Sequence, residues 1–242
     1  MLEKLESDWI ELFLGLQSTP KVEPESIQAP FVSVAPNGYD PHKIPSILCI
    51  GKATAAWYRS KLLKVKAPTG NTLRSFTSEF LKNDLAIRER YRSPFWRFVF
   101  KLSAQFAEAT NRQDIAPLQN IVWTNICKIA VNDENPEGKY LEAQRELAIK
   151  TLREEIIRYR PTLIFLMTGS YVEDLIGHVV GDSTDRSWNQ AKHEKHIWRW
   201  REPISEFPSV IWTGHPQGKL ATTREVWIQK ACELAIKYPG HW

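Results

Sequence analysis

Two polar side chains that can recognise a ligand stand at the ends of apolar, β-branched runs. Asn125 ends the run Ile121–Asn125, and His215 follows the run Val210–Gly214. An asparagine amide carries one acceptor and two donors, so it can pair with two groups on the edge of a planar ring such as a nucleobase. A histidine N–H can stabilise an oxygen on which negative charge develops. The pair could therefore form a site that holds a ring and stabilises a leaving group, although each residue taken alone is more often a turn former.

Two further apolar runs end on glycine, where a ligand can approach the backbone closely. They are Ser46–Gly51 and Thr162–Ser170, the second of which ends in Gly169 and Ser170. A buried parallel strand delivers its last residue to the carboxyl edge of the sheet, where open α/β folds bind ligands. We therefore expect one shared rim, which carries Gly51, Asn125, Gly169 and His215.

Helical patterns alternate with these runs and predict the elements that must position the rim. Apolar spacing and capping residues predict helices over 1–17, 72–87, 94–110, 138–159 and 171–177, and a final helix to about 237. Ser93 is the expected N-cap of the third helix, and Thr222 with Glu225 is an expected capping box for the last. This alternation predicts a three-layer α/β/α fold with a central four-stranded, mostly parallel sheet.

The chain is long enough for one well-buried core, and we expect a single domain over 1–242. Residues 1–45 are predicted to form an N-terminal helix and a proline-rich strap, and 46–238 the α/β core. The polar, tryptophan-rich segment 181–208 is the longest candidate insertion.

Composition is that of an ordinary globular protein, with 43% apolar and 25% charged residues. The net charge of +4 only weakly indicates an anionic partner, but basic residues cluster over 52–66 and over 192–201, the latter with interleaved tryptophans. Such clusters can neutralise phosphates and stack on bases, or they can be solvated surface. Three scattered cysteines, no signal peptide and no long apolar segment predict a cytoplasmic protein without membrane contact. We expect a monomer.

The order of the four motifs resembles that of the uracil-DNA glycosylase superfamily. The segment Trp123–Lys128 is similar to the one in which that superfamily places its base-recognising asparagine. His215-Pro216 resembles the start of its His-Pro-Ser motif, which leads into a loop that enters the DNA minor groove. Thr168–Tyr171 resembles the turn after its third strand. The resemblance extends from about Ser46 to Lys237.

The resemblance implies a protein that binds DNA and turns a modified base out of the stack into a pocket at the rim. Asn125 then recognises the base, and His215 stabilises the departing ring. The residues expected to line the base pocket are Gly51, Asn125, Trp57, Tyr58, Gly169 and Ser170. Lys52 and Lys219 are expected phosphate contacts, and Leu220 the residue that wedges into the duplex. No metal, iron–sulfur cluster or other cofactor is expected, since the four cysteines of cluster-bearing relatives are missing.

The first motif departs from the superfamily pattern, because no acid or amide follows the first strand. Gly51 is followed by Lys52, Ala53 and Thr54, and of these only Thr54 could orient a water molecule. A positioned general base contributes about 10²–10⁴-fold to a rate, so we expect atypical or reduced hydrolysis of the N-glycosidic bond. Asp40 and Asp133 are conceivable substitutes, although exposed turn positions are the favoured interpretation of both.

Aromatic side chains that could stack on a base are Trp57, Tyr58, Phe95 and Trp96, and helical periodicity places Phe95 in the core. Two other functions stay open. One is a non-catalytic nucleic-acid or nucleotide-binding protein on the same fold, which the basic clusters and the missing acid support. The other is an enzyme acting on a small anionic metabolite, although neither a glycine-rich phosphate loop nor a dinucleotide fingerprint is present.

Overall fold

The computed structural model of the chain describes residues 2–20, 23–53, 68–84, 93–116, 118–180, 190–192, 197–200 and 208–237. Its α-helices are α1 (Leu2–Gln17), α2 (Gly70–Glu79), α3 (Pro94–Ala109), α4 (Gly138–Tyr159), α5 (Glu173–Val180) and α6 (Ala221–Lys237). Its strands are β1 (Ile47–Gly51), β2 (Ile121–Asn125), β3 (Leu163–Leu166), β4 (Gln190–Lys192), β5 (Ile197–Trp200) and β6 (Ser209–Thr213). A short 3₁₀ helix covers Pro24–Ser26, and a π-helical turn, Phe80–Asp84, follows α2 directly.

The strands form one sheet in the order β2-β1-β3-β6-β5-β4. The first four strands in this order are parallel, as predicted, and each is a short buried run. The last two, β5 and β4, are antiparallel to their neighbours and continue the sheet beyond β6. The segment 181–208 therefore contributes two strands, where we had predicted only a polar insertion.

Helices cover both faces of the four parallel strands and complete the three predicted layers. Alternate strand residues such as Leu48, Val122 and Ile164 join one buried cluster, to which α1, α4 and α5 contribute side chains. The intervening residues, such as Cys49 and Phe165, join a second cluster with side chains of α3 and α6. Strands that are apolar on both faces form buried parallel sheets of this kind.

Helix starts follow local capping at some positions and tertiary context at others. The Ser93 hydroxyl accepts a hydrogen bond from the Trp96 N–H at 3.2 Å, which confirms the predicted cap of α3. The capping box predicted at Thr222 and Glu225 is wrong, because α6 already begins at Ala221 and the Arg224 N–H bonds to the Leu220 carbonyl. Helix α5 begins later than predicted, after Val172, whose φ of 55° lies in the left-handed region.

The proline-rich strap packs along the chain that follows β2. The Gln28 N–H bonds to the Ala130 carbonyl at 3.0 Å, and the Phe31 N–H bonds to the Lys128 carbonyl at 2.8 Å. Ile27 and Phe31 are each 1% exposed, so this part of the strap belongs to the core. Among the helices within the described ranges, none has the length and apolarity needed to cross a membrane.

Candidate functional site

The carboxyl ends of the parallel strands bring Gly51 and Asn125 side by side. They are the last register pair of β1 and β2. Beyond them the two chains stay joined, since the Ile126 N–H bonds to the Gly51 carbonyl at 3.0 Å and the Cys127 N–H bonds to the Lys52 carbonyl at 2.9 Å. The end of this strand pair is therefore a rigid platform for the side chains that it carries.

The side-chain amide of Asn125 lies across Gly51 and is 2% exposed. A Cβ atom at position 51 would stand only 2.5 Å from Asn125 Oδ1, so glycine is needed there to admit the asparagine. The amide nitrogen Nδ2 is buried and has no hydrogen-bond partner among the residues that the structure describes. A buried amide donor is normally paired, so Nδ2 is suited to an acceptor atom on a ligand.

Phe95 connects this platform to His215. Its ring lies 3.6 Å from the point that a Cβ atom on Gly51 would occupy, and it stacks on the imidazole of His215 with centroids 6.1 Å apart and planes at 19°. Phe95 is half-buried: it packs against the core cluster, as periodicity predicted, and it also reaches the rim. The signal for its position is Pro94 at the first helical position, because Phe95 then lies in the first turn of α3.

His215 is held as a neutral imidazole. The Gln217 N–H donates to His215 Nδ1 at 3.2 Å, so the proton of the neutral ring is on Nε2. Burial, and secondly the positive charge of Lys52, lowers the pKa of His215 to about 4. At neutral pH the ring therefore offers an uncharged N–H donor at Nε2.

Lys52 follows β1 directly and lies beside the aromatic ring of Tyr171. Its Nζ is 5.6 Å from the centroid of that ring. The Tyr171 hydroxyl donates to the Pro136 carbonyl at 2.6 Å and lies 3.6 Å from Cys127 Sγ, and burial raises the pKa of Tyr171. Tyr171 thus fixes one side of the rim and supports a cation close to His215.

The ends of β3 and β6 meet through Gly169 and Gly214. Gly169 has a φ of 59°, its N–H bonds to the Thr213 carbonyl at 3.0 Å, and a Cβ atom on it would lie 3.9 Å from Gly214 Cα. The Trp212 indole N–H donates to the Gly169 carbonyl at 2.8 Å. Gly169 therefore shapes a turn next to the backbone that carries His215, and the following Ser170 is exposed.

The loop after His215 is a compact turn with an apolar tip. The Lys219 N–H and the Arg224 side chain both bond to the Pro216 carbonyl at 3.4 Å, and Gly218 has a φ of 72°. The Lys219 side chain packs toward Gly214, with Cε 3.6 Å from the position that a Cβ would occupy there. Leu220 is 74% exposed, so this turn presents an apolar side chain to solvent.

Several predicted site residues lie elsewhere or outside the described residues. Thr54, Trp57 and Tyr58 belong to 54–67, which lies outside the described residues. Trp96 is 4% exposed and packs on Trp123 instead of facing His215. No group of three side chains of metal-binding type is close together within the ranges that the structure covers.

Neither conceivable substitute for the missing acid is poised beside His215. Asp40 pairs with Lys43 at 3.0 Å. Its neighbour Tyr39 forms a hydrogen bond with Ser46, which precedes β1, so Asp40 lies near the amino ends of the parallel strands and His215 lies at their carboxyl ends. Asp133 accepts a hydrogen bond from the Gln28 side chain, in the turn that pairs with the strap.

A buried ionic network behind Asn125 was not foreseen from the sequence. Lys128 and Glu155 are 1% and 2% exposed as side chains, and their Nζ and Oε1 atoms are 2.7 Å apart. The Thr124 hydroxyl, on the residue before Asn125, donates to Glu155 Oε2 at 2.9 Å, and Ser33 donates to Oε1 at 2.6 Å. This network connects β2, the strap and α4, and its clearest sequence signal is the charged Lys128 within the otherwise apolar run 126–131.

Comparison with known proteins adds no relative to this description. No protein-family model matches the chain, and none of the curated proteins is similar enough in sequence to count as a match. The geometry of the rim therefore carries the functional interpretation.

Proposed function

We propose that the chain is a DNA glycosylase-like protein that takes a modified base, turned out of the DNA stack, into the rim formed by Gly51, Asn125, Phe95 and His215. The observation that carries the proposal is the buried Asn125 amide, whose Nδ2 atom has no hydrogen-bond partner among the described residues. The ring of Phe95 lies between this site and the neutral imidazole of His215. The proposal also rests on the order of motifs along the chain.

Asn125 selects the base through its amide. Nδ2 is a hydrogen-bond donor, so it matches a carbonyl oxygen on the base edge. An exocyclic amino group at the same position is also a donor, and the two donors could not form a hydrogen bond with each other. A wrong base that leaves this buried donor unpaired costs about 1–3 kcal/mol. Because the strand ends hold Asn125 over Gly51, little conformational freedom is lost when the base enters.

His215 stabilises the base as it departs. When the N-glycosidic bond breaks, its electron pair stays with the base and negative charge develops on a carbonyl oxygen attached to the ring. A neutral imidazole donates the Nε2 proton into a hydrogen bond with that oxygen and gains no charge itself. Loss of one such donor typically lowers a rate by about 10²–10³-fold.

Water activation is the weak part of this site. The residues after β1 are Lys52 and Ala53, and Thr54 is the one hydroxyl that follows closely. Without a carboxylate to accept a proton from water, hydrolysis proceeds more slowly, by about 10²–10⁴-fold for a missing general base. We therefore propose slow or narrowly selective base release.

A base-release assay tests the proposal. Single- and double-stranded DNA containing uracil, hypoxanthine, xanthine or a bulky modified pyrimidine is incubated with the protein and then treated with alkali to break abasic strands. We expect breaks with at least one base, and a loss of about 10²-fold or more for His215→Ala. His178→Ala, a histidine change on α5, is the matched control and should leave the rate unchanged. Equal rates for His215→Ala and the wild type would contradict the role of His215.

A non-catalytic DNA-binding protein on the same fold is the second candidate function. Lys52 favours it, because a cation stands where a water-activating acid would be needed. In the same assay, DNA binding that is lost in Asn125→Ala, with no strand breaks from any base, would support this alternative. Absence of binding to every oligonucleotide would contradict both functions.

A further inference from the structure

A cavity of about 480 Å³ lies beside the outer strand β2, away from the rim. Small-molecule sites in proteins typically enclose about 300–1,000 Å³, so this cavity is large enough for an organic ligand. Its walls come from β2, α3, the strap at 34–37, the turn after α2 and the loop before β2. Neither Asn125 nor His215 lines it.

Three aromatic rings form the inner wall of the cavity. Trp96 and Trp123 are 4% and 7% exposed and pack edge to face with centroids 4.9 Å apart, and Phe100 lies one turn of α3 beyond Trp96. Leu81 and Leu118 add aliphatic surface. Such a wall favours a flat apolar body that can lie against the rings.

The polar groups at the cavity suit a negative charge. Lys82 is the one charged side chain among the described residues that line it, and no described lining residue is acidic. The Gln119 Oε1 atom accepts the Ala116 N–H at 3.1 Å, which leaves the amide nitrogen, a donor, as the other hydrogen-bonding atom of that side chain. The Ser78 hydroxyl is a further donor on α2.

We propose that this cavity is a second binding site, for a small organic anion with an aromatic body and a carboxylate- or sulfonate-like head group. The rings of Trp96, Trp123 and Phe100 hold the apolar body, and Lys82 meets the anionic head at the mouth. The site is independent of the proposed function, because none of Gly51, Asn125, Phe95 and His215, the residues that form the proposed rim, lines the cavity.

The test compares two probes of nearly the same shape, 1-anilinonaphthalene-8-sulfonate and its neutral parent N-phenyl-1-naphthylamine. Binding to the folded wild-type chain is followed by probe fluorescence, and stoichiometry by calorimetry. We expect one saturable site that prefers the sulfonate. Lys82→Ala should weaken sulfonate binding about three-fold and Lys82→Glu about ten-fold, while binding of the neutral probe is unchanged.

Two lysine variants are matched controls. Lys150→Ala, on the exposed side of α4, removes the same charge far from the cavity, and Lys52→Ala removes it at the rim. Both should keep the wild-type affinity for the sulfonate. Ser78→Trp adds bulk at the cavity wall and should weaken the binding of both probes about ten-fold or more. Circular dichroism checks that each variant is folded.

Five results would overturn the proposal. The first four are no saturable binding, equal affinity for the two probes, a Lys82 effect no larger than that of Lys150, and unchanged binding in Ser78→Trp. A sulfonate affinity that depends on Lys52 instead of Lys82 would place the probe at the rim and would also overturn it.

Discussion

At the scale of single residues, the site depends on one close approach, that of the Asn125 amide to Gly51. The glycine serves the asparagine, because the space that a side chain at position 51 would need is occupied by Asn125 Oδ1. Two residues that are far apart in sequence thus form one unit, and the position of Asn125 explains why a glycine stands at position 51.

Gly51→Ala tests this unit. Its Cβ would stand 2.5 Å from Asn125 Oδ1, so the amide must turn away, and we expect affinity for base-modified DNA to fall about ten-fold or more. Gly15→Ala is the matched control, because a Cβ there meets no atom within 4 Å. The measurement is fluorescence anisotropy with a labelled duplex. Unchanged affinity in Gly51→Ala would contradict the proposed role of Asn125.

The neutral state of His215 predicts a component of stability that depends on pH. The pKa is about 4 in the folded protein and about 6.5 in an unfolded chain, so the unfolded state binds the extra proton between these values. The contribution of His215 is complete above about pH 6.5 and is lost as the pH falls toward 4. It amounts to at most about 3 kcal/mol, and less because the ring is only half-buried.

Urea unfolding at several pH values measures this component. We expect the wild type to lose more stability than His215→Gln between pH 6.5 and 4, because glutamine does not titrate. If the unfolding free energies of the two proteins fall in parallel as the pH is lowered, His215 has an ordinary pKa and its ring is charged near pH 6.

At the scale of elements, the buried network of Lys128, Glu155, Thr124 and Ser33 fixes the end of β2 against α4 and the strap. Burial lowers the pKa of Lys128, which its contact with Glu155 opposes. Both charges have hydrogen-bond partners, as buried ions require. Thr124 precedes Asn125 in β2, so the network holds the strand end that carries Asn125.

Lys128→Met leaves the Glu155 carboxylate buried without its cation. We expect a loss of about 3–5 kcal/mol in the free energy of unfolding, measured by denaturant titration. The double variant Lys128→Met with Glu155→Leu removes both charges and should recover much of this loss. Lys150→Met, at an exposed pair with Glu146, should cost less than about 1 kcal/mol. A cost for Lys128→Met as small as that of the surface control would show that the pair is not isolated from solvent.

At the scale of the whole molecule, four parallel strands bring residues from distant parts of the chain to one edge, and the β5–β4 pair extends the sheet on the β6 side. The rim contains Lys52 and the loop with Lys219 and Leu220, so under the proposed function DNA meets cations and an exposed apolar side chain there. Because the net charge of +4 is modest, the proposed function relies on the local placement of cations more than on total charge.

DNA affinity is therefore expected to fall as salt rises, since bound cations release counterions from phosphates. Lys219→Ala should weaken binding and reduce the slope of log affinity against log salt by about one, as the loss of one phosphate contact predicts. Lys150→Ala serves as the control for charge alone. Anisotropy titrations across a salt series measure both quantities, and an affinity independent of salt would exclude phosphate contact.

Much of this architecture follows from local sequence patterns. Apolar runs that stop at Gly51, Asn125 and Gly169 predicted the strands and their shared edge, because a buried strand needs an apolar side chain at nearly every position. The cap of α3 at Ser93 followed from the Ser-Pro pair in the same way. The separate features of the rim, namely a glycine, an asparagine and a histidine at strand ends, were thus visible in the sequence.

Tertiary structure decided what those features do together. Only the fold shows that Asn125 occupies the space above Gly51, that Phe95 at the edge of the core stacks on His215, and that Lys128 is paired with Glu155. It also made 190–192 and 197–200, within the predicted polar insertion, into sheet strands and started α6 ahead of its expected cap. Local patterns encode which residues are buried and where strands end. The contacts of a buried polar group are different, because its hydrogen-bond partners come from distant parts of the chain and only the fold brings them beside it.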